Sequence, residues 1–532
     1  MRPRASARRD VRNQSSRAGG SRSNNRAAGS LKRREFLGLV GAASLATALG
    51  RTANAAPRRD KPNLLVIWTD QERKDVLRVY GNRKLRADNL NKLADESFVI
   101  TDPYICQPIC TPSRSSIMTG LWPHQNGCVF NSVPLPQNIP CLPELLGDAD
   151  YRTGYMGKWH LGDEIYPQHG FLEWQAIEDG YRSSYGKNRS RDDRSQYHHW
   201  LIEHGINPED NNEFVREKTA ALPIELSKAK FLQTKAIEFL RRHKDEPFIL
   251  YVNFLEPHPP YTGPYNDMYD PKDVDLPPNF SSPLGDEDPV SYRRWQAFNI
   301  LKRSKDFDFT QESGWRKLIA HYWGLMSEVD QCMGEILSAL ESLGLADNTV
   351  VVHTSDHGDM MGSHRTIAKQ VMYQEAVQVP WLMRIPKLGR KQRLMRGPTS
   401  HIDLVPTLLD LLGKPAGERL PGRSLVPWFQ GGPKSEDHAF IEWNVLPKAT
   451  TQPDKKLDEK DDGPQIISRA VVTPDGWKLC LNIGDKSQLF NLNEDPYETR
   501  NLYSSGKHDD VIARLRDKIH AWQKTVRDTA AV

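Results

Sequence analysis

The sequence predicts an α/β fold with a large mixed, mostly parallel sheet flanked by helices, followed by a small C-terminal antiparallel sheet plus helix. Short continuous apolar runs, each about as long as a buried strand, occur at residues 63–68, 247–254 and 348–353. Helical patterns lie between these runs, at about residues 87–96, 222–242 and 316–343. Strands and helices that alternate in this way are typical of a sheet that is covered on both faces.

Polar side chains follow each apolar run. Asp70 and Gln71 come after the first run, His258 after the second, and Asp356 and His357 after the third. Ligands of open α/β sheets bind beyond the carboxyl ends of the parallel strands. We therefore expect these side chains to share one site.

A second, smaller region is expected to begin near residues 430–436, which are rich in Gly and Pro. Strand-like runs follow at residues 439–443, 466–472 and 477–482. A final helix is expected over about residues 508–526. The predicted boundaries are therefore residues 60–432 for the main region and 433–532 for a C-terminal α+β region.

The first 55 residues differ in kind from the rest. Residues 1–30 are rich in Arg, Ser, Asn and Gly, and we expect them to be disordered. Lys32-Arg33-Arg34-Glu35-Phe36-Leu37, a mild apolar stretch and the small residues Ala53-Asn54-Ala55 follow in that order. This order resembles a twin-arginine export signal, which implies a translocase partner and a periplasmic or secreted protein. The apolar stretch is too short for a membrane span, and none is expected elsewhere.

The charge balance argues against a nucleic-acid partner. The full chain has a formal charge of +4, and its first 55 residues hold twelve Lys or Arg but only two Asp or Glu. Without that segment the charge is −6. The basic character therefore belongs to the leader.

The six cysteines form no CxxC pair, so neither a zinc ribbon nor a thioredoxin-like motif is expected. Export permits disulfides, and pairing among Cys106, Cys128 and Cys141 stays open.

Cys110 begins the run Cys110-Thr111-Pro112-Ser113-Arg114, and Thr119-Gly120 follow soon after. This pattern resembles the signature of type I sulfatases, which belong to the alkaline phosphatase superfamily. The resemblance implies an alkaline-phosphatase-like fold. It also implies that Cys110 is oxidised to formylglycine (3-oxoalanine), whose hydrate is the nucleophile, and that Arg114 stabilises this hydrate. The twin-arginine route exports folded proteins, so the maturation enzyme that oxidises Cys110 is expected in the cytoplasm.

A second motif resembles the other sulfatase signature and includes Gly157-Lys158-Trp159-His160-Leu161-Gly162. The i, i+2 spacing predicts that Lys158 and His160 lie on one face of an extended segment. The resemblance implies that Lys158 and Lys369 hold the sulfate oxygens. It further implies that His258 protonates the leaving oxygen and that His160 removes a proton from the formylglycine hydrate.

The same resemblance implies one divalent cation, with ligands at Asp70, Gln71, the modified Cys110, Asp356 and His357. Oxygen ligands favour calcium. Gln71 stands where the family usually has Asp, and His357 supplies a nitrogen, so manganese or magnesium remains an alternative.

The sequence as a whole predicts an exported sulfatase that hydrolyses sulfate esters, with a sulfated carbohydrate as the expected substrate. Two alternatives stay open: a phosphonate monoester or phosphodiester hydrolase of the same superfamily, and an inactive exported glycan-binding protein. Presence of the Lys158-Trp159-His160 element favours the sulfatase. Long irregular stretches at about residues 178–215 and 259–312 are expected to wall the substrate pocket.

Overall fold

Eight strands form the main sheet of the computed structural model, which describes residues 61–208, 212–434, 438–444 and 466–532. The strands are β1 (Asn63–Asp70), β2 (Phe98–Tyr104), β3 (Arg152–Gly157), β4 (Glu173–Gln175), β5 (Phe248–Pro257), β6 (Thr349–Ser355), β7 (Trp381–Arg384) and β8 (Arg393–Ser400). Their order is β4-β3-β5-β1-β6-β7-β2-β8, and within this sheet β7 runs antiparallel to its neighbours. The predicted mixed, mostly parallel sheet is confirmed. The predicted leader and export signal lie outside the described residues.

The α-helices of the main region are α1 (Asp88–Asp95), α2 (Cys110–Thr119), α3 (Pro123–Asn126), α4 (Leu142–Leu146), α5 (Gln196–Glu203), α6 (Arg216–Ala220), α7 (Lys228–Arg242), α8 (Val290–Arg303), α9 (Glu312–Ser342), α10 (Gln374–Val377), α11 (Leu404–Leu411) and α12 (Val426–Phe429). The three predicted helices correspond to α1, α7 and α9. The stretches at 178–215 and 259–312 are not wholly irregular, because they contain α5 and α8. Helix α5 spans only eight residues, and Arg293 and Arg294 interrupt the apolar pattern of α8, so neither periodicity stands out in the sequence.

Strand β1 is buried on both faces, which explains why its sequence is apolar throughout. Leu65 and Ile67 face the core that includes side chains of α7 and α9. Leu64, Val66 and Trp68 face the opposite core, which includes side chains of α11. Alternate residues of a strand point to opposite faces, so a central strand covered by helices on both sides has no polar face.

The C-terminal region contains four antiparallel strands and a helix, as predicted. They are β9 (Ala439–Trp443), β10 (Ile467–Val472), β11 (Trp477–Ile483), β12 (Gln488–Asn491) and α13 (Asp509–Val526). Helix α13 contacts the segment that follows α2. The rings of Trp122 and Trp522 meet edge to face at 5.0 Å, and Gln125 donates a hydrogen bond to the Val526 carbonyl.

All six cysteines are buried free thiols, so the disulfide pairing that the sequence left open is not formed in this structure. Within the described part of the chain, none of the helices combines the length and the apolar character needed to cross a membrane.

Candidate active site

The carboxyl ends of β1 and β6 bring the predicted metal ligands together. Asp70 ends β1, and Asp356 and His357 follow its parallel neighbour β6. Helix α2 begins at Cys110 beside them. Ligand atoms of these four residues all lie within 4.8 Å of one another, and all four side chains are buried.

Cys110 lies at the centre of this group and is 2% exposed. Its Sγ atom is 3.2 Å from His357 Nε2, 3.8 Å from Lys158 Nζ and 4.0 Å from Asp70 Oδ1. The first turn of α2 is also fixed in place, because Thr111 donates a hydrogen bond to the His160 carbonyl at 2.8 Å. The predicted nucleophile position is therefore held by its neighbours and shielded from water.

Arg114 joins the two carboxylates of the group. Its Nη2 atom donates to Asp70 Oδ2 and its Nε atom to Asp356 Oδ2, both at 2.8 Å. Nη1 donates to Asn253 Oδ1 at 2.7 Å. The side chain is completely buried. The arginine therefore orients the ligand carboxylates, and its predicted contact with a nucleophile hydrate stays a prediction.

Lys158 donates a hydrogen bond of 2.6 Å from Nζ to Asp70 Oδ2. An extended segment is predicted here from the sequence, but the chain around Lys158 is not extended. Strand β3 ends at Gly157, and His160 has a φ of 57°. The carboxylate of Glu164 bends the chain here, because it accepts the backbone N–H groups of Trp159 and His160 at 2.7 and 2.6 Å.

Gly157 permits the close approach that brings Lys158 into the site. Its φ is 116°, and a Cβ atom on this residue would lie 1.9 Å from the Asn253 carbonyl oxygen. A residue with a side chain would push β3 away from β5 at the point where the chain turns into the site.

His160 contacts Tyr181 and Ser132. Its ring packs on Tyr181 at 4.4 Å between centroids, and Nε2 is 3.4 Å from Ser132 Oγ. Burial, together with the charges of Lys158 and Arg114, lowers the pKa of this imidazole well below its usual value. His160 is therefore neutral, and its role as a base stays a prediction.

Gln71 links Lys369 to the site through a network of side-chain hydrogen bonds that is not predicted from the sequence. Its Oε1 accepts a hydrogen bond from Lys369 Nζ at 2.5 Å, and its Nε2 donates to Asp359 and, at 3.2 Å, to the Tyr261 hydroxyl. A carboxylate at position 71 has no N–H to offer Asp359, which explains the amide. No local pattern marks this network in the sequence, because Asp359 and Gln71 lie 288 residues apart.

His258 follows β5 and lies close enough to Asp70 for their charges to interact. Its Nδ1 is 2.8 Å from the Pro259 carbonyl and therefore carries the proton, which leaves Nε2 as an acceptor. Burial and the cations Lys369 and Lys158 lower the pKa of this ring well below its usual value. His258 is neutral in this state of the site.

Buried charges control the acidity of the group. Burial opposes ionisation of Asp70, but the cations Lys158 and Arg114, both paired with this carboxylate, hold its pKa well below the usual range. Burial and Asp70 also oppose ionisation of Cys110, yet Lys158, Lys369 and His357 lower the pKa of this thiol to about 7. The site is thus prepared for negative charge beside residue 110.

The donor set fits a divalent cation. His357 Nε2 lies 3.8 Å from Asp70 Oδ1 and 3.6 Å from Asp356 Oδ1, so that one nitrogen and two carboxylate oxygens converge. Such spacings suit ligands of one ion at about 2.1–2.5 Å from each. Gln71 Oε1 is already engaged by Lys369, so its role as a ligand stays a prediction.

The comparisons with known proteins agree with this geometry. The family model described as Sulfatase matches residues 62–414. The uncharacterized sulfatase YidJ of Escherichia coli is 29% identical over 478 residues, which cover 88% of each chain. The ulvan-active sulfatase of Formosa agariphila is 26% identical over 88% of this chain and 82% of its own length.

Among solved structures, the phosphonate monoester hydrolase SpPMH from Silicibacter pomeroyi has the same fold, with a TM-score of 0.71 at 23% identity. The alignment covers 88% of this chain and 96% of that one. The chain belongs to the sulfatase family, a family of sulfuric ester hydrolases within the alkaline-phosphatase-like superfamily.

Proposed function

We propose that this chain hydrolyses sulfate esters of a carbohydrate, with a nucleophile made from Cys110 and a bound divalent cation. One observation carries the proposal: the buried Cys110 lies among ligand carboxylates and within reach of the charges of Lys158 and Lys369. Sulfatases generally use formylglycine and a divalent metal, and the Asp70, Asp356 and His357 side chains would hold that metal beside residue 110.

Formylglycine at position 110 supplies a hydrated aldehyde as the oxygen nucleophile, and the cation supplies Lewis acidity. The protein supplies the fixed charges. Lys158 stays protonated, because its contact with Asp70 outweighs burial and raises its pKa. Lys158 and Lys369 would then bind the sulfate oxygens and stabilise charge that builds up during attack on sulfur.

His258 is proposed to donate the proton to the leaving oxygen. Its neutral ring carries a proton on Nδ1, and Nε2 must take up another before it can act as an acid. A bound sulfate ester offsets the charges of Lys369 and Lys158 and so favours that protonation. His160 is proposed to accept the proton from the formylglycine hydrate after the alcohol has left.

The decisive experiment compares an aryl sulfate with an aryl phosphodiester and a phosphonate monoester at matched concentrations. The fold shared with SpPMH makes this comparison necessary. We expect a clear preference for the sulfate, and loss of activity on every substrate in Cys110→Ala. A preference for the diester or phosphonate would replace the proposal with the phosphohydrolase alternative.

The modification itself is tested by peptide mass analysis of the fragment that contains Cys110. Conversion to the aldehyde replaces the thiol with an oxygen and lowers the mass accordingly. If all molecules made in a host with the maturation enzyme keep an unmodified thiol at residue 110, the result would favour the inactive glycan-binding alternative.

The carbohydrate substrate is supported by the ulvan-active relative. A panel of sulfated polysaccharides and their oligosaccharides, with sulfate release as the readout, identifies the substrate. Activity on small aryl sulfates alone, with none on any glycan, would contradict the carbohydrate assignment.

Export through the twin-arginine route is part of the same proposal and rests on the sequence of residues 1–55. The test replaces Arg33 and Arg34 by Lys and measures the protein in the periplasmic fraction. We expect the variant to stay in the cytoplasm with its activity intact. Unchanged export would argue for another route.

Calcium is the proposed ion. Metal analysis of the purified protein, followed by chelation and addition of Ca²⁺, Mn²⁺ or Mg²⁺, separates the alternatives. Recovery with Mn²⁺ but not Ca²⁺ would assign a larger part in binding to the His357 nitrogen.

A further inference from the structure

A second set of metal-binding side chains lies outside the active site, at the start of α4. The ligand atoms of Cys141, Glu144 and His169 all lie within 4.8 Å of one another. Cys141 directly precedes α4, Glu144 lies in its first turn, and His169 comes from the loop before β4. The mechanism proposed above uses none of the three.

His169 is the unusual member of this set. Its side chain is completely buried, yet neither Nδ1 nor Nε2 makes a hydrogen bond. A buried imidazole without a well-formed hydrogen bond costs free energy, because its nitrogens have lost water and the nearest acceptor, Glu144 Oε2, is 3.4 Å away. Burial lowers the pKa of the ring. The Glu144 carboxylate and the Ile139 carbonyl beside it raise the pKa, but by less, so the net shift is downward.

The Glu144 carboxylate is held toward the imidazole. Its Oε2 accepts the Cys141 backbone N–H at 3.0 Å and lies 3.4 Å from His169 Nδ1. Ligands of a tetrahedral Zn²⁺ at about 2.0–2.3 Å from the ion are roughly 3.3–3.7 Å apart. The oxygen and the nitrogen thus already have the separation that one zinc ion would impose.

We infer that Cys141, Glu144 and His169 form a binding site for a zinc-class transition-metal ion, separate from the active-site cation. One sulfur, one nitrogen and one oxygen are the donors that Zn²⁺ prefers, whereas Ca²⁺ prefers oxygens. The Glu144 side chain is 36% exposed, so the ion would enter from solvent beside it, and water would be the fourth ligand.

Binding would release the Cys141 thiol proton to solvent, so that thiolate and carboxylate balance the two charges of the ion. Without metal, burial, Glu144 and Cys128 raise the pKa of this thiol well above its usual value. The occupied site would join α4 to the loop that carries His169. The His169 ring packs against Trp159 at 5.9 Å, so the site would also support the segment that positions Lys158.

The test uses the full-length protein with Cys110→Ser, which removes the sulfur from the active-site group. After chelation, the protein is titrated with Co²⁺ in excess Ca²⁺, and the thiolate-to-cobalt charge-transfer absorption is recorded. We expect one equivalent of Co²⁺ to produce the band and Zn²⁺ to displace it. Addition of Cys141→Ser should abolish the band, and His169→Asn should weaken binding by at least about tenfold.

Cys332→Ser is the matched control, because Cys332 is a buried thiol that belongs to neither group of metal-capable side chains in the described part of the chain. It should leave the band unchanged. Thermal unfolding gives a second readout: Zn²⁺ should raise the Tm of the Cys110→Ser protein but not that of its His169→Asn form. Glu144→Gln, at a partly exposed position, serves if the buried variants fail to fold, and it should weaken binding as well.

Three results would overturn the inference. The first is absence of the band in the Cys110→Ser protein, and the second is a band that survives Cys141→Ser. The third is a Cys128–Cys141 disulfide in the purified protein, detected by peptide mass under non-reducing conditions.

Discussion

Cys110 and Cys141 are both buried thiols at the start of a helix, but their neighbours give them opposite properties. Burial disfavours the thiolate at both positions. Around Cys110, the cations Lys158 and Lys369 overcome burial and bring the pKa of the thiol to about 7. Around Cys141, Glu144 adds to the effect of burial and keeps the pKa well above its usual value. Burial alone makes a cysteine inert, and the surrounding charges decide whether it becomes a reactive centre.

The largest expected effect separates the two cysteines directly. Cys110→Ala removes the nucleophile and should lower kcat/KM by at least about a thousandfold. Cys141→Ala should lower the Tm while it leaves kcat of the folded enzyme within about threefold, because the residue does not touch the reacting atoms. Steady-state assays with an aryl sulfate check both. Equal losses of activity in the two variants would contradict the view that Cys110 reacts and Cys141 does not.

Arg114 provides the next test, since it holds the carboxylates that frame Cys110. Arg114→Gln should lower kcat/KM by about a hundredfold to a thousandfold, because Asp70 and Asp356 lose their shared cation. Arg469→Gln is the matched control. Arg469 is also buried and pairs with a carboxylate, Asp528, in the C-terminal region. The free energy of unfolding of the Arg469→Gln protein should fall by about 3–5 kcal/mol, while kcat of the folded fraction stays nearly unchanged.

A smaller effect is expected from Gln71→Glu. The new carboxylate keeps an oxygen for Lys369 but faces Asp359 without an N–H to donate, so we expect roughly tenfold lower kcat/KM and a lower Tm. Asp359→Asn in the same chain restores a donor and should recover part of the loss. Purely additive effects in this double-mutant cycle would show that the two side chains are not coupled.

The smallest effect concerns the pH dependence of stability and comes from Glu328. This carboxyl group is buried, as Cys141 is, and its charge is opposed by burial and by Glu256. Burial and the neighbouring Glu256 raise its pKa to about 8. A raised carboxyl pKa contributes stability at low pH that is lost as pH rises through about 8. Glu328→Gln should therefore gain on the order of 1 kcal/mol relative to wild type between pH 6 and about pH 9.

Denaturant unfolding at several pH values measures that difference. Glu335→Gln is the control, because Glu335 lies on the same helix but is exposed. Equal pH dependence of wild type and Glu328→Gln would show that Glu328 ionises normally.

The parts of the site that lie at strand ends were predictable from sequence. The apolar runs before Asp70 and Asp356 mark buried parallel strands, and parallel strands present their carboxyl ends at one edge. The motif around Cys110 then adds the third part of the site, but none of the predicted helices covers the helix that begins at this residue. Local patterns carry this information because each strand is continuous in sequence and its burial determines its composition.

The remaining contacts depend on distant parts of the chain, and no local pattern reveals them. Glu164 bends the segment that carries Lys158, and a period-two pattern there suggested a strand instead. Asp359 selects an amide at position 71 across 288 residues of sequence. The lack of a hydrogen bond at His169 is visible only when the packing around it is known.

The contact between α13 and the segment after α2 has a consequence for the order of synthesis. Trp122 and Gln125 find their partners in residues 522–526, so the end of α2 opposite to Cys110 lacks its full packing until the last part of the chain emerges. At about 5–20 residues per second, the intervening 400 or so residues take roughly 20–80 s to make. At its other end, the same helix waits for His357, which lies 3.2 Å from the Cys110 thiol and follows it by 247 residues. The thiol is thus left incompletely covered for roughly 12–50 s, and translation speed sets the time in which an enzyme can reach it.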